Sequence, residues 1–181
     1  MRALRPGPDD VFYDIGSGMG RILCVMARQR LRRCIGIELF EPLCEIARHN
    51  AVTLRGKKTP IEVLCADATT ADLGDGTIYF MFNPFGAETM RDTLLNLKNS
   101  QLRKPRSITV VYYNAECESV FEDAGWLEKV EQFASFNGQR ISLWRNRTGQ
   151  ETVPHEPTAR RQSNREVDSQ FSLESSHQVA R

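Results

Sequence analysis

Short runs of β-branched and aromatic residues alternate along this chain with longer stretches whose apolar residues recur at helical spacing. That rhythm specifies βαβ units on a mostly parallel sheet. Strands are expected at 11–15, 33–38, 61–66, 77–82 and 107–113, and helices at 21–29, 42–54, 87–97 and 117–124. Met90, Leu94 and Leu97 make one apolar helical stripe; Cys117, Val120, Phe121 and Ala124 make another. Pro42 suits a first helical turn, and Gly125 suits the position just past a helix end. Beyond Gly125 the rhythm changes to two strands, 126–136 and 140–145, joined through Phe136-Asn137-Gly138-Gln139, where Asn-Gly is a strong hairpin signal. The expected fold class is therefore α/β: a Rossmann-like, doubly wound, mostly parallel seven-stranded sheet with a C-terminal antiparallel hairpin.

From about Thr148 the composition shifts to Gln, Ser, Glu, Arg, Pro and His, with Phe171 and Leu173 the only large apolar residues. Such a segment cannot bury enough surface to offset its chain entropy. The domain organisation expected is one folded domain over 1–147 and a disordered polar tail over 148–181. With 24 basic and 23 acidic residues, and a net charge of +1, nothing indicates a nucleic-acid partner. No apolar run approaches the roughly 20 residues of a membrane helix, and the first ten residues hold no signal-like apolar stretch, so a cytoplasmic protein is expected. Five cysteines at 24, 34, 44, 65 and 117 lack CxxC pairs and His partners at ligand spacing. They read as reduced core residues, not as a disulfide framework or a metal site.

The strongest local feature is Tyr13-Asp14-Ile15-Gly16-Ser17-Gly18-Met19-Gly20-Arg21, directly after an apolar strand and directly before an amphipathic helix. A glycine-rich turn there lets a ligand approach the backbone and presents free amides at a helix start. Arg21 stands where a dinucleotide fingerprint wants its third glycine, and Asp14 lies two positions ahead of the first. An acid at that point suits a cofactor bearing an ammonium and a sulfonium better than one bearing a pyrophosphate. Glu38 ends the second strand eighteen residues past Gly20, where a ribose-binding carboxylate is expected. Asp67 follows the third strand and offers an acid near the same rim.

Residues 11 to about 145 thus resemble the class I, seven-stranded S-adenosylmethionine-dependent methyltransferases. The resemblance implies that Asp14 holds the methionine end of the cofactor and that the turn of Gly16, Ser17, Gly18 and Gly20 packs against it. It implies that Glu38 binds the ribose, that Leu39 or Phe40 flanks the adenine, and that Asp67 and Ala68 meet the adenine edge. As purely structural alternatives, Glu38 could cap the helix near Pro42, and Asp67 a short helix over 69–73.

The fourth strand ends in Phe82-Asn83-Pro84-Phe85-Gly86, which resembles a shortened Asn-Pro-Pro-aromatic motif of amino-nitrogen methyltransferases. In that motif the Asn side chain and a neighbouring carbonyl accept hydrogen bonds from the target amine, and the aromatic ring stacks on it. The second proline is missing here. The resemblance implies acceptor-orienting roles for Asn83, Pro84 and Phe85, with Asn83 also near the cofactor; the structural alternative is that Asn83 caps the next helix and Phe85 is core. The Gly-Ser-Gly-x-Gly turn is also similar to that of seven-stranded, non-SET protein lysine methyltransferases.

The reaction expected is methyl transfer to an undetermined acceptor, leaning to an amino nitrogen. Two other readings stay open at this point: a nicotinamide-dependent oxidoreductase, and a cofactor-binding, catalytically silent partner subunit. Only ten residues precede the first strand. The corresponding expectation is a chain shorter than its relatives, or a site closed by a protein partner or by the tail.

Overall fold

The structure, a computed structural model, describes residues 4–147; the 148–181 segment lies outside the described residues. The chain order is β1 (Val11–Ile15), α1 (Arg21–Met26), β2 (Arg33–Glu38), α2 (Glu41–Thr53), β3 (Ile61–Cys65), β4 (Ile78–Phe82), α3 (Ala87–Arg103), β5 (Thr109–Tyr113), α4 (Glu118–Asp123), β6 (Leu127–Ala134) and β7 (Arg140–Asn146). The strands form one seven-stranded sheet in the order β3-β2-β1-β4-β5-β7-β6. β1 to β5 run parallel, and β7 is antiparallel to both β5 and β6. The doubly wound sheet with a terminal hairpin is the expected fold.

Alternation along the strands divides the core between the two faces. Tyr13, Ile15, Tyr79, Met81, Val110 and Tyr112 cluster with Met90, Leu94 and Leu97 of α3 and with Val120 and Phe121 of α4. Phe12, Cys34, Ile78, Val111 and Leu143 cluster instead with Leu23 and Ala27 of the α1 segment. A central strand covered on both faces is mostly apolar, and β1 is buried at every position, with Asp14 as its one acidic residue. Edge strand β6 is exposed at most of its positions. No helix among the described residues is long and apolar enough to cross a membrane.

Three local expectations are corrected. The α1 helix stops at Met26, short of 29, because the Ala27 carbonyl is taken by the N–H groups of Lys58 (2.7 Å) and Thr59 (3.0 Å). The α3 helix runs past 97 to Arg103, since its buried stripe continues through Ser100, whose hydroxyl donates to the Leu73 carbonyl at 2.7 Å. Cys65 is not a core residue: it closes edge strand β3 at an exposed tip, and Cys24 and Cys117 are only partly buried.

Register brings the functional edge together. Ile15 pairs with Ile37 and Met81, Glu38 with Cys65, and Phe82 with Tyr113, so the carboxyl ends of the five parallel strands share one edge. Tyr113 pairs with Ile141 and Ala134 with Arg140, which puts the hairpin loop 135–139 on that edge too. β1 lies between β2 and β4, so the strand order reverses there, and ligands of open α/β sheets bind at such a point.

Candidate functional site

The turn after β1 is locked to the tip of β2 by the amides of Gly16 and Ser17, which both donate to the Ile37 carbonyl (2.8 and 3.0 Å). Gly16, Gly18 and Gly20 all have left-handed backbones, with φ of 72°, 53° and 76°. Their surroundings differ. A methyl on Gly16 would stand 2.6 Å from Cβ of Pro84, one on Gly20 would stand 3.2 Å from Cβ of Ala47, and one on Gly18 would meet nothing within 4 Å. Gly16 therefore lets the turn touch the β4 tip, Gly20 lets it lie against α2, and Gly18 borders open space. Gly16→Ala combines a left-handed strain with a clash against a rigid ring, and is expected to lower stability in urea unfolding by about 2–4 kcal/mol.

Asp14 lies in β1, two residues before Gly16 of this bend. It is 2% exposed, and its Oδ2 has no hydrogen-bond partner among the described residues. Burial, and after it the charge of Glu38, pushes the Asp14 carboxyl up to about 7. The buried Ser17 hydroxyl is likewise without a partner. A carboxylate withdrawn from water and facing a second carboxylate is costly until a cation joins it.

Glu38 joins the β2 tip to the turn: Oε2 accepts from the Gly18 N–H and Oε1 from the Phe40 N–H, both at 2.9 Å. It does not cap α2, whose N-cap is Phe40 and which has no side-chain cap bond. Each carboxylate oxygen keeps a further lone pair for a donor in the cleft. Leu39 and Phe40 present large exposed apolar surfaces beside it. The next strand tip is tied in by the Ala66 N–H, which donates to the Glu38 carbonyl at 2.9 Å. Asp67 is exposed there, and its Oδ1 accepts from both the N–H and the hydroxyl of Thr69 at 2.8 Å. The backbone bond, then the hydroxyl bond, holds the Asp67 carboxyl below its ordinary range. Ala68 is buried, and its carbonyl accepts from Asn96 Nδ2 at 3.0 Å. Asp67 thus stabilises a local turn, but there is no helix over 69–73.

Across the switch point, Asn83 has φ of 40°, a conformation that Asn tolerates better than most residues. Its Oδ1 accepts from the Tyr112 hydroxyl at 3.0 Å, and the Tyr112 oxygen accepts from the Cys117 N–H at 3.0 Å. Burial raises the Tyr112 phenol above its ordinary value, so the donating proton stays in place. Asn83 does not cap α3, whose N-cap is Gly86 and lacks a side-chain cap bond. Phe85 is partly buried with its ring against the core. The exposed aromatic surface at this edge belongs to Phe82, edge-on to Tyr113 at 4.6 Å, and to Phe136 in the hairpin loop. Tyr113 in turn donates to Asn137 Oδ1 at 3.1 Å. From sequence, Tyr112 at the end of the fifth strand could line the cleft but reads as strand-end packing, and Phe82 is not singled out. The signal lay in the pairing of β4 with β5, which sets Met81 opposite Tyr112.

Solved structures share this fold. An RNA methyltransferase from Salinibacter ruber in complex with S-adenosyl-L-homocysteine matches 82% of this chain and 88% of its own, at 24% identity and a TM-score of 0.59. The ribosomal protein L11 methylase from Lactobacillus delbrueckii subsp. bulgaricus matches 81% and 72%, at 16% identity and a TM-score of 0.61. The chain has the fold of the class I methyltransferases. An S-adenosylmethionine-dependent methyltransferase from Aquifex aeolicus also matches 77% of the chain and 84% of its own, at 18% identity and a TM-score of 0.56. The family model of the histone methylation protein DOT1 matches residues 2–59, which include the stretch from β1 through α2 with its glycine turn. No curated protein matches the sequence.

The cofactor of this class is S-adenosylmethionine, and the residues present suit it. Asp14 Oδ2 and the Ser17 hydroxyl are buried and unpaired, as groups awaiting a cationic partner would be. Among the described residues, the Cα face of Gly18 has room for a ligand, since a methyl there would meet nothing within 4 Å beyond its chain neighbours.

Proposed function

We propose that this methyltransferase transfers a methyl group from S-adenosylmethionine to an amino nitrogen, on a protein lysine or another amine. When bound, the cofactor supplies an electrophilic methyl on a sulfonium, which is a good leaving group. Alignment and exclusion of water are then the protein's main contributions. Asp14, with Ser17, balances the ammonium of the methionine end, and the Gly16–Gly18–Gly20 turn lets the cofactor approach the backbone. Glu38 accepts from the ribose hydroxyls, Leu39 and Phe40 cover the adenine faces, and Asp67 with Ala68 meets its edge.

The observation that carries the amine reading is the side-chain oxygen of Asn83, fixed by Tyr112 at the strand tip whose Pro84 touches the glycine turn. One lone pair of that oxygen is occupied by Tyr112, and the other can accept an N–H from an incoming amine, with the Pro84 carbonyl as a second acceptor. Two acceptors on one nitrogen's hydrogens aim its lone pair at the methyl group. An oxygen acceptor has no second N–H to engage. Phe82 presents open aromatic surface beside this point, whereas Phe85 braces the loop from the core side.

Radiolabelled-methyl transfer into fractionated extract tests the reading. Label is expected in protein or in small amines; label confined to nucleic acid would contradict it. Tyr112→Phe keeps the ring and removes the hydroxyl that holds Asn83. Its turnover is expected to fall about tenfold, the worth of one hydrogen bond in the transition state, with the KM for the cofactor unchanged.

A further inference from the structure

We propose that Glu41, Cys44 and Cys65 form a binding site for a thiophilic divalent cation of the zinc class. Their ligand atoms, two thiol sulfurs and a carboxylate oxygen, all lie within 4.8 Å of one another. Tetrahedral zinc with such ligands spaces its donors roughly 3.5–3.8 Å apart, so a small contraction completes the triangle. Glu41 and Cys44 are three residues apart on the first turn of α2, hence on one side of the helix, and Cys65 closes β3 beside them. The cysteines meet only through the packing of α2 on the sheet, which is why their spacing in sequence carries no ligand pattern. Two thiolates select soft cations over magnesium or calcium, which want oxygen.

The charges also close. Arg48 Nη1 lies 2.5 Å from Glu41 Oε1, leaving the other carboxylate oxygen for a cation. Two thiolates, one carboxylate, one guanidinium and one divalent cation sum to zero formal charge. Loading breaks two S–H bonds, sends both protons to buffer and forms two metal–sulfur bonds, with no change of oxidation state; water completes the coordination. In the cation-free protein the thiols donate to backbone carbonyls, Cys44 to Glu38 at 3.4 Å and Cys65 to Leu39 at 3.5 Å. A cation among these ligands favours the thiolate form of both cysteines. A bound ion would clip the first turn of α2 to the β3 tip, on either side of the Leu39-Phe40 segment.

The test uses the reduced full chain, titrated with cadmium(II) and with zinc(II) in the absence of methyl donor. Expected are one cadmium ion per chain, a cadmium–thiolate charge-transfer absorption and a raised Tm with either metal. Cys65→Ser, at an exposed position that tolerates the change, is expected to lose the absorption, as is Cys44→Ser; Cys117→Ser should keep it. Absence of the absorption at one equivalent, or its survival in Cys65→Ser, overturns the proposal, as does its equal loss in Cys117→Ser.

Discussion

Asp14→Asn is expected to make the ligand-free protein more stable at neutral pH while weakening its binding of S-adenosylmethionine about 100-fold. The two effects share one cause. With its carboxyl pushed up to about 7 from an ordinary 3.8, Asp14 holds its proton more tightly in the folded chain than in the unfolded one. The stability this confers is complete below about pH 4 and is lost as pH rises through about 7. The loss amounts to about 4 kcal/mol, at roughly 1.4 kcal/mol for each tenfold change in proton affinity. Asn cannot ionise, so the variant should escape the loss. Urea unfolding between pH 4 and pH 8 is expected to show wild-type stability falling and that of Asp14→Asn nearly level. Removing the charge also removes a charge-assisted bond to the ligand's ammonium, worth about 3 kcal/mol, hence the 100-fold. Unchanged affinity would remove the carboxylate from the binding site, and parallel pH profiles would show that its burial carries no electrostatic cost.

Asn83→Ala should lower turnover about 100-fold and leave cofactor affinity unchanged. The side chain orients the acceptor, and misplacing a reacting atom by about an ångström costs that much. Ala also strains a backbone at φ 40°, so Asn83→Gly, which accepts that conformation freely, separates loss of the oxygen from loss of the fold. Both variants are expected to be equally slow. Wild-type turnover in Asn83→Gly would leave Asn83 a structural residue, chosen for its backbone.

Much of this was legible because strands and turns announce themselves locally. The buried run Val11–Ile15, the three glycines after it and the acid at Glu38 can be read in order along the chain, and so can the Asn137-Gly138 hairpin. What could not be read depends on contacts distant in sequence. The last turns of α3 pass through Ser100, a polar residue that is buried only because Leu73 offers it a carbonyl. Gly16 must be glycine partly because Pro84 packs on it. Tyr112 looked like strand-end packing until register set it against the Asn83 tip, and the aromatic expected at the acceptor, Phe85, leans on the core while Phe82 faces outward. Cys65 sits in an apolar run, yet an edge strand's open tip exposes it.

The most direct measurement is a calorimetric titration of the full chain with S-adenosylhomocysteine and, separately, with NAD, repeated on Glu38→Ala. One-to-one binding of the homocysteine compound, no binding of NAD, and a clear loss of affinity in a folded Glu38→Ala are expected. Binding of NAD in its place, or undiminished affinity once Glu38 is gone, would contradict an acid-lined cleft built for a cationic nucleoside.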